Sequence, residues 1–267
     1  MNIIVPIKQV PETSMVRLDP VTGTMIREGV ESIINPLDLY AIETANQLKE
    51  AHGGRVTALS MGPQNAIKAL REAIAMGCDD AVLVSDRAFA GADTWSTAYV
   101  LAQAIRQLGA YDLILCGERA TDGDTGQVGP NIASALDVPL ITYVSELVSL
   151  DLKAREAIVW RLTEDGYEQL LLPLPALMTV VKEISFPRLP TLRGKQRARA
   201  AEIRVLDAAA LPVEKDKIGL LGSPTRVIKI EAPKVTRGGT LLKPKDREGL
   251  LDAVERLVDF LKARDIV

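Results

Sequence analysis

The sequence contains few of the residues from which most catalytic and metal-binding sites are built. Its 267 residues include one histidine, His52, and two cysteines, Cys78 and Cys116. Two cysteines so far apart form neither a disulfide framework nor a zinc site, so we expect two buried thiols. His52 precedes Gly53 and Gly54, and a solvated position at the end of a helix accounts for it. No nucleophile with a base and no acid/base pair stands out, so we predict neither catalytic nor metal-ligating residues.

The sequence also lacks a strong excess of one charge and a long hydrophobic run. The formal net charge is -3, and basic and acidic residues are interleaved, which argues against nucleic acid as a partner. The longest apolar stretch, Leu170 to Val181, contains two prolines and is shorter than the roughly 20 residues of a membrane-spanning helix. The N-terminal residues do not have the pattern of a signal peptide. We therefore expect a cytoplasmic protein without membrane insertion.

Four short apolar runs in the first half alternate with amphipathic helical segments. The runs, each expected to be a strand buried on both faces, are Ile3–Ile7, Val56–Leu59, Ala81–Val84 and Leu113–Cys116. Helices are expected from Asn35 to Gly53, from near Pro63 to Gly77, from Asp93 to Gly109, and from within Asp122–Gln127 to near Leu136. This alternation predicts an α/β fold with a doubly wound, mainly parallel sheet, whose ligands bind at the carboxyl ends of its strands.

After Pro139 the spacing leaves no room for helices between strands. Short strand-like runs, expected to form an antiparallel annex, are Val144–Leu150, Ala157–Leu162, Glu168–Leu172 and Ala176–Val181. Residues 182–200 combine prolines and a glycine with several basic residues, which indicates an exposed basic loop, or alternatively a simple solvated connector.

The last part of the chain combines an extended segment with one helix. Residues 222–244 are rich in proline and glycine and are expected to form an arm without a core of its own. The following helix, Lys245 to about Arg264, carries an apolar stripe that must be buried against something. Packing within the chain is the commoner fate of such a stripe, and packing on a partner is the alternative.

The segment Leu113–Pro130 is the most informative one, because a buried strand leads into a glycine-containing loop that opens a helix. Such a loop and the helix N-terminus favour a bound phosphate. The segment matches neither the Walker loop nor the dinucleotide fingerprint, so an ordinary loop without a ligand stays open as an alternative. Asp122 and Asp124 repel phosphates and are expected to cap the helix or to accept hydrogen bonds from ribose hydroxyls and loop amides.

Two other strand ends are expected to border the same crevice. They are Val5–Pro11 after the first strand and Leu59–Pro63 after the second. Asn35–Asp38 opens the first helix and could hydrogen-bond a base or ribose, although Asn35 is equally explained as an ordinary N-cap. A bound nucleotide without catalytic side chains is typical of redox carriage, in which the cofactor supplies the chemistry.

Several motifs resemble those of the electron-transfer flavoprotein β subunit over nearly the whole chain. The most specific is Val159-Trp-Arg-Leu-Thr-Glu-Asp-Gly-Tyr-Glu-Gln-Leu170, which is followed by Pro175-Ala-Leu-Met-Thr179. Further motifs are Val5-Pro-Ile-Lys-Gln-Val-Pro11, Asn35-Pro36, Ala75-Met-Gly-Cys-Asp79 and Pro187-Arg-Leu-Pro190. The resemblance implies an adenine nucleotide α-hydrolase-like α/β domain, paired with an FAD-carrying α subunit, with AMP or a second FAD in its crevice.

The resemblance also implies the site residues and the domain division. The implied cofactor-binding residues are Pro6, Lys8, Asn35, Pro36, Leu37, Asp38, Met61, Asp93, Thr94, Arg119, Ala120, Thr121, Asp122, Gly123, Asp124, Thr125, Gly126, Gln127, Val128, Gly129 and Pro130. The implied residues for docking an acyl-CoA dehydrogenase-type flavoenzyme are Leu192, Arg193, Lys195, Arg197 and Arg199. We divide the chain into a nucleotide-binding domain, 1–222, which includes recognition loop 182–200, and a C-terminal arm and helix, 223–267, which pack on the α subunit.

Part of the pattern looks more like the FAD-containing, electron-bifurcating group of that family. This part comprises Asp38, Gly91-Ala-Asp-Thr94 and Asp122–Pro130, although Gly91–Thr94 is equally explained as a helix cap. In that group NADH reduces the β-site flavin, and the electron pair is divided between a low-potential acceptor and the α-subunit flavin. We hypothesise a bound FAD, with AMP as the alternative occupant and NAD as the electron donor. A simple electron carrier is the alternative.

Two hypotheses from other functional classes compete with electron transfer. An adenine-nucleotide-sensing regulatory module of the universal-stress-protein kind shares a doubly wound sheet, but it does not need the annex, the basic loop or the C-terminal arm. A hydrolase is weaker still, because catalytic groups are missing.

Overall fold

The computed structural model describes residues 1–12, 32–228 and 239–266. The chain divides into two compact units, Met1–Ile228 and Lys229–Val267. The strands are β1 (Asn2–Pro6), β2 (Gln9–Pro11), β3 (Ser32–Ile34), β4 (Arg55–Met61), β5 (Asp80–Val84), β6 (Leu113–Gly117), β7 (Leu140–Asp151), β8 (Glu156–Thr163), β9 (Gly166–Pro173), β10 (Ala176–Val180) and β11 (Arg204–Leu206). The helices are α1 (Asp38–His52), α2 (Ile67–Met76), α3 (Thr94–Leu108), α4 (Val128–Leu136), α5 (Leu192–Ala200), α6 (Gly219–Gly222) and α7 (Arg247–Lys262).

One nine-stranded sheet organises the first unit, in the order β11-β5-β4-β1-β6-β10-β7-β8-β9. The predicted strands β1, β4, β5 and β6 are mutually parallel neighbours, as their apolar runs indicated. From β1 the chain first builds outward through β4 and β5, and it then returns to the other side of β1 with β6. The predicted doubly wound, mainly parallel fold is confirmed, and the switch in direction lies between β1 and β6. A separate two-stranded sheet pairs β2 with β3.

Of the four strands predicted for the antiparallel annex after Pro139, three pair antiparallel, and the assignment of the fourth, Ala176–Val181, was wrong. Strand β10 lies inside the main sheet and is parallel to both β6 and β7. Every residue of β10 is buried, which is typical of a strand with neighbours on both sides and layers on both faces. Strands β7, β8 and β9 do pair antiparallel, but they continue the same sheet.

The helices of the first half follow the sequence pattern, with small shifts at their N-termini. Helix α3 begins after Asp93, whose Oδ1 accepts a hydrogen bond from the backbone N–H of Ser96 at 3.0 Å, as an N-cap does. Helix α1 begins at Asp38 and not at Asn35, because residues 36 and 37 form a turn. A short 3₁₀ turn, Gln64–Ala66, precedes α2.

The segment predicted as an exposed basic loop, 182–200, contains helix α5, and the loop prediction was therefore wrong for Leu192–Ala200. Thr191 caps the helix by accepting a hydrogen bond from the N–H of Gly194 at 2.9 Å. A Cβ atom on Gly194 would collide with the carbonyl oxygen of Ala75 at the end of α2, so glycine allows α5 to approach α2 closely. Sequence composition alone did not reveal this contact.

Two apolar layers cover the faces of the sheet. Both cysteines are buried as predicted, and burial raises the pKa of the Cys78 thiol to about 12. A thiol with so high a pKa is unreactive at neutral pH. His52 is the exposed last residue of α1, as expected. Among the described residues, we find no helix with the length and apolarity required to cross a membrane.

The second unit is described over residues 239–266, while residues 229–238 of the predicted arm lie outside the described residues. Helix α7 begins after Asp246, whose Oδ1 accepts a hydrogen bond from the N–H of Gly249 at 2.7 Å. The predicted stripe is present, and none of the residues of α7 is buried. Its exposed apolar members include Leu250, Leu251, Val254, Leu257 and Val258.

Candidate functional site

A cleft of about 790 Å³ lies where the direction of the sheet switches, at the carboxyl ends of β1 and β6. Open α/β sheets bind their ligands at this position. The connections that follow the two neighbouring strands run to opposite sides there, and they leave a crevice between them. The end of β1 contributes Pro6, and the end of β6 contributes Gly117. The first turn of α1 and the N-termini of α3 and α4 complete its polar border.

Most of the predicted cofactor-binding residues line this cleft, and they come from five separate segments of the chain. The lining set comprises Pro6, Lys8, Asp38, Met61, Asp93, Thr94, Arg119, Ala120, Gly123, Thr125, Gly126, Gln127, Val128 and Gly129. The remaining predicted residues, Asn35, Pro36, Leu37, Thr121, Asp122, Asp124 and Pro130, are neighbours of lining residues in the chain but do not line the cleft themselves. The structure thus brings the five segments together.

Asn35 is fully buried and joins the loops that follow β1 and β6. Its side-chain N–H donates to the carbonyl oxygen of Arg119 at 2.9 Å, and its Oδ1 accepts from the N–H of Thr121 at 3.1 Å. Its backbone N–H donates to the carbonyl oxygen of Lys8 at 2.8 Å. Asn35 therefore fixes the two loops relative to each other and does not cap α1 with its side chain.

Asp38 is a buried carboxyl group at the floor of the cleft. Its Oδ2 accepts a hydrogen bond from the backbone N–H of Lys8 at 2.7 Å. Burial raises the pKa of Asp38 to about 7, although hydrogen bonds from Lys8, Asn35 and Gly117 oppose this shift. A Cβ on Gly117 would lie 2.5 Å from Oδ1 of Asp38, so this floor requires glycine at position 117.

The loop from Glu118 to Gln127 turns sharply before α4 begins. Asp124 and Gly126 have left-handed backbone conformations, with φ of 52° and 62°. Left-handed conformations suit glycine and are tolerated by aspartate. A Cβ on Gly129 would lie 2.8 Å from Cγ2 of Thr179, so glycine lets the first turn of α4 pack closely on β10. The glycines of the segment therefore serve both loop conformation and helix packing.

Two helix N-termini meet at one side of the cleft. The hydroxyl of Thr94, at the start of α3, donates to Oε1 of Gln127 at 2.8 Å, directly before α4. The first N–H groups of a helix have no partner within the helix and carry a partial positive charge. Their convergence makes this side of the cleft suitable for an anionic group such as a phosphate.

The cations of the cleft are held by acidic residues of the same loops. Lys8 pairs with Asp122 at 2.7 Å, and Arg119 pairs with Asp124 at 3.2 Å. Both basic side chains are about half exposed. The two aspartates are not among the residues that line the cleft. Neither caps α4, so the expected capping role was wrong, and their predicted contact with the ribose of a nucleotide stays a prediction. Lys8 and Arg119 remain available to contact a ligand because the pairs are solvated and weak.

Several lining residues are not in the predicted set of cofactor-binding residues, although some lie in segments that the sequence had singled out. They are Ile7, Phe89, Gly91, Ala92, Thr97, Leu101, Cys116, Gly117, Glu118, Thr225 and Val227. Cys116, Gly117 and Glu118 belong to the loop segment already singled out, and Thr97 lies one helical turn after Asp93. These positions could have been included from spacing. Thr225 and Val227 had no local signal, because a tertiary contact brings them to the cleft.

The predicted docking residues lie on α5, and one of them, Leu192, is an exposed hydrophobic residue like Phe186 and Leu189 of the preceding segment. Phe186, Leu189 and Leu192 are 90%, 87% and 87% exposed. We call these three residues, together with Arg193, Lys195 and Arg199, the docking face. Arg197 differs, because its Nη2 donates to the carbonyl oxygens of Ile74 and Cys78 at 2.7 and 3.0 Å. Arg197 anchors α5 to the end of α2.

Arg188 fixes the segment that carries this docking face. Its guanidinium donates to both carboxylate oxygens of Glu43, at 2.8 and 2.9 Å, and also contacts Glu50. Burial would raise the pKa of Glu43, but the hydrogen bonds from Arg188 outweigh it and hold the pKa below its usual value. Glu43 and Glu50 both belong to α1, so these contacts fix the segment with the exposed side chains against that helix.

Comparison with known proteins adds an independent line of evidence. The family model described as "Electron transfer flavoprotein domain" matches residues 22–211. The chain is 49% identical to the electron transfer flavoprotein subunit beta of Thermoanaerobacterium thermosaccharolyticum, with 100% of both chains covered. It is 44% identical to the caffeyl-CoA reductase-Etf complex subunit CarD of Acetobacterium woodii, over 91% of this chain and 92% of that one. It is 43% identical to the acryloyl-CoA reductase electron transfer subunit gamma of Anaerotignum propionicum, over 97% and 98%.

Proposed function

Because the chain belongs to the electron transfer flavoprotein family, among its β subunits, we propose that its cleft binds FAD, with AMP as the alternative occupant of the same site. Electron transfer together with partner proteins is the role of this family. The observation that carries the cofactor proposal is the meeting of a glycine-rich loop and two helix N-termini at the switch point of the sheet.

The phosphates of the nucleotide are assigned to the polar side of the cleft. The N–H groups at Gln127, Val128 and Gly129 begin α4, and the hydroxyl of Thr94 lies beside them. Lys8 and Arg119 contribute positive charge at the rim. Such a combination of free amides, a hydroxyl and cations binds phosphate or pyrophosphate without any catalytic side chain.

The remainder of the cleft suits the other parts of a nucleotide. Its volume of about 790 Å³ is within the range of roughly 300–1,000 Å³ that is usual for ligand sites. Met61, Phe89 and Leu101 provide apolar surface for a ring system, and Glu118 provides a carboxylate for hydroxyl groups. When bound, FAD supplies the redox chemistry, and the protein supplies binding, orientation and electrostatics.

Two partner proteins belong to the proposal. An FAD-carrying α subunit would cover the apolar stripe of α7, whose side chains are exposed. An acyl-CoA dehydrogenase-type flavoenzyme would bind the docking face, which presents large exposed hydrophobic side chains together with cations. The names of two relatives support this class of partner, since one is a subunit of a caffeyl-CoA reductase complex and the other an acryloyl-CoA reductase electron transfer subunit.

Electron bifurcation with NADH as the donor is the finer form of the proposal. It is supported by the resemblance of Asp38, Asp93-Thr94 and Asp122–Pro130 to the FAD-containing group, and by the position of Asp38 and Thr94 in the cleft. A simple carrier that holds FAD or AMP without bifurcation is the alternative. Membership of the family argues against a lone nucleotide-sensing module.

The cofactor content of the protein purified together with its α-type partner tests the proposal. Nucleotides released from the complex are identified by mass spectrometry and quantified by absorbance. Two FAD molecules per heterodimer, together with reduction by NADH, support the bifurcating form. One FAD and one AMP leave a simple electron carrier. ATP without any flavin, or no nucleotide, overturns the proposal.

A further inference from the structure

The segment that leads out of the first unit forms one wall of the cleft. Thr225 and Val227 line the cleft, although they are separated by more than ninety positions from the glycine-rich loop. The side chain of Val227 is 80% exposed. An apolar side chain that lines a cleft and has few protein neighbours is suited to be covered by an occupant.

Asp93 holds this segment through one of its carboxylate oxygens and caps helix α3 with the other. Its Oδ2 accepts two hydrogen bonds from Thr225, from the backbone N–H at 2.9 Å and from the hydroxyl at 2.8 Å. Its other oxygen, Oδ1, caps helix α3. We call the contact between Asp93 and Thr225 the clasp. The same carboxylate thus joins the N-terminus of α3, which borders the phosphate side of the cleft, to the segment that contains Thr225.

The residues before the clasp are firmly anchored. The hydroxyl of Ser223 accepts a hydrogen bond from the N–H of Asp93 at 2.8 Å and donates to the carbonyl oxygen of Gly219 at 2.7 Å. A Cβ on Gly219 would collide with the carbonyl oxygen of Ala88, so the chain approaches very closely there. The position of the segment beyond Ser223 is therefore set mainly by the clasp.

The charge state of Asp93 favours the clasp at neutral pH. Burial would raise its pKa, but the hydrogen bonds from Ser96 and Thr225 outweigh burial and hold the pKa below the usual value for aspartate. Hydrogen bonds to an ionised carboxylate are shorter and stronger than those between neutral groups. The clasp is consequently a charge-assisted contact.

We propose that the clasp makes residues 223–227 a nucleotide-responsive wall, in which Thr225 and Val227 bind the occupant of the cleft and the occupant in turn holds the start of the C-terminal arm. This inference rests on the proposed nucleotide site. Coupling of this kind is reciprocal: if the placed segment strengthens nucleotide binding, the nucleotide stabilises the placed segment by the same factor. Binding at the cleft would thereby fix where the chain leaves the first unit.

Hydrogen–deuterium exchange of the nucleotide-depleted full chain tests the inference, with AMP and FAD as separate probes. Two peptides are followed, one covering 118–130 and the other covering 223–228. We expect both to exchange about tenfold more slowly when nucleotide is added, since opening of a closed segment governs exchange. Slowing at 118–130 without slowing at 223–228 overturns this inference alone. No slowing at either peptide overturns the nucleotide site itself.

Substitution of Thr225 tests the clasp directly. Thr225→Val keeps the shape of the side chain but loses the hydroxyl bond to Asp93, so we expect faster exchange at 223–228 without nucleotide and a five- to tenfold weaker affinity for AMP. Thr225→Ser restores the hydroxyl and is expected to behave as the wild type. Nucleotide affinity and exchange in Thr225→Val that equal those of the wild type would exclude the clasp as the coupling element.

Discussion

Two surfaces of the first unit are assigned to binding, and they are built in opposite ways. We call Asp38 and Gly117, together with Asn35 beside them, the cleft floor, although Asn35 does not itself line the cleft. The two polar side chains of the floor are buried, and each bonds to backbone groups of neighbouring loops. The docking face has Phe186, Leu189 and Leu192 almost fully exposed. A substitution in the floor changes backbone positions, whereas one in the face changes only what a partner meets.

The two surfaces therefore determine specificity by different structural features. In the floor, specificity depends on loop geometry, because a small ligand is bound by amides and dipoles that must already be in place. In the docking face, specificity depends on exposed side chains, and the hydrogen bonds of Arg188 and Arg197 fix the backbone that carries them. Floor substitutions that displace backbone or break the loop hydrogen bonds should therefore reduce stability and nucleotide content together, and face substitutions should leave both unchanged.

The largest effect is expected for Gly117→Ala. The new Cβ would lie 2.5 Å from Oδ1 of Asp38 and 2.8 Å from the backbone carbon of Leu37, so the start of α1 must move. Overpacking costs about 1–3 kcal/mol and occasionally more in the free energy of unfolding, and we expect the upper end of this range because backbone atoms must move. Urea unfolding and nucleotide content measure the two expected losses.

Gly123→Ala is the matched control for this variant, because Gly123 belongs to the same loop and has no atom within 4 Å of its Cβ position. We expect its unfolding free energy to stay within about 0.5 kcal/mol of the wild type. Equal stability of the two variants would show that the floor is more adaptable than its geometry indicates.

The next effect is expected for Asn35→Ala. The substitution leaves the carbonyl oxygen of Arg119 and the N–H of Thr121 without their partner. The two hydrogen bonds are partly buried, so their loss costs about 0.5–1.5 kcal/mol each, and the loops after β1 and β6 lose their connection. We expect reduced stability in urea and weaker nucleotide binding by calorimetry. The exposed Asn65→Ala serves as the control, and a loss of the same size there would refute a specific role for Asn35.

A pH-dependent effect is expected for Asp38→Asn. Burial raises the folded-state pKa of Asp38 from 3.8 to about 7, so the folded protein holds this proton more tightly than the unfolded chain. The resulting stabilisation is complete below about pH 4 and is lost as the pH rises through 7. Between about pH 5 and 8 the wild type should lose on the order of 2 kcal/mol that the amide variant retains.

Urea unfolding across this pH range measures the difference between the wild type and Asp38→Asn. Asp124→Asn is the control, since that carboxyl group is 65% exposed and asparagine tolerates its left-handed backbone. Parallel pH profiles for the wild type and Asp38→Asn would mean that the carboxyl is ionised in the folded protein at all these pH values. In that case Lys8 would be its effective counterion.

Sequence patterns predicted the parts of the molecule that depend on local periodicity. The buried runs of β1, β4, β5 and β6 and the cap of α3 were found because apolar spacing and Asp93 are visible in the sequence. The position of β10 between β6 and β7 was missed, because the apolar pattern of a strand does not determine which strands it pairs with. Helix α5 was missed because its basic composition concealed the contact of Gly194 with α2. Thr225 was missed because only the tertiary fold brings it to Asp93.

The smallest effect on stability is expected for charge reversal on the docking face, by Arg193→Glu with Lys195→Glu. Both side chains are exposed, so the unfolding free energy should change by less than about 0.5 kcal/mol, and flavin content should not change. Electron transfer to an acyl-CoA dehydrogenase-type flavoenzyme should fall about tenfold at low salt, because complementary charge accelerates association. Stopped-flow kinetics at two ionic strengths measures this loss.

Arg197→Met on the same helix provides the sharpest test of the comparison, because it should show the opposite pattern. The carbonyl oxygens of Ile74 and Cys78 lose a charged donor, which is expected to cost about 1–3 kcal/mol of stability. Transfer per folded molecule should stay near that of the wild type, since this guanidinium points at α2. If the double reversal leaves transfer unaltered, the docking role of α5 is wrong; if Arg197→Met alone reduces it, the anchor itself contacts the partner.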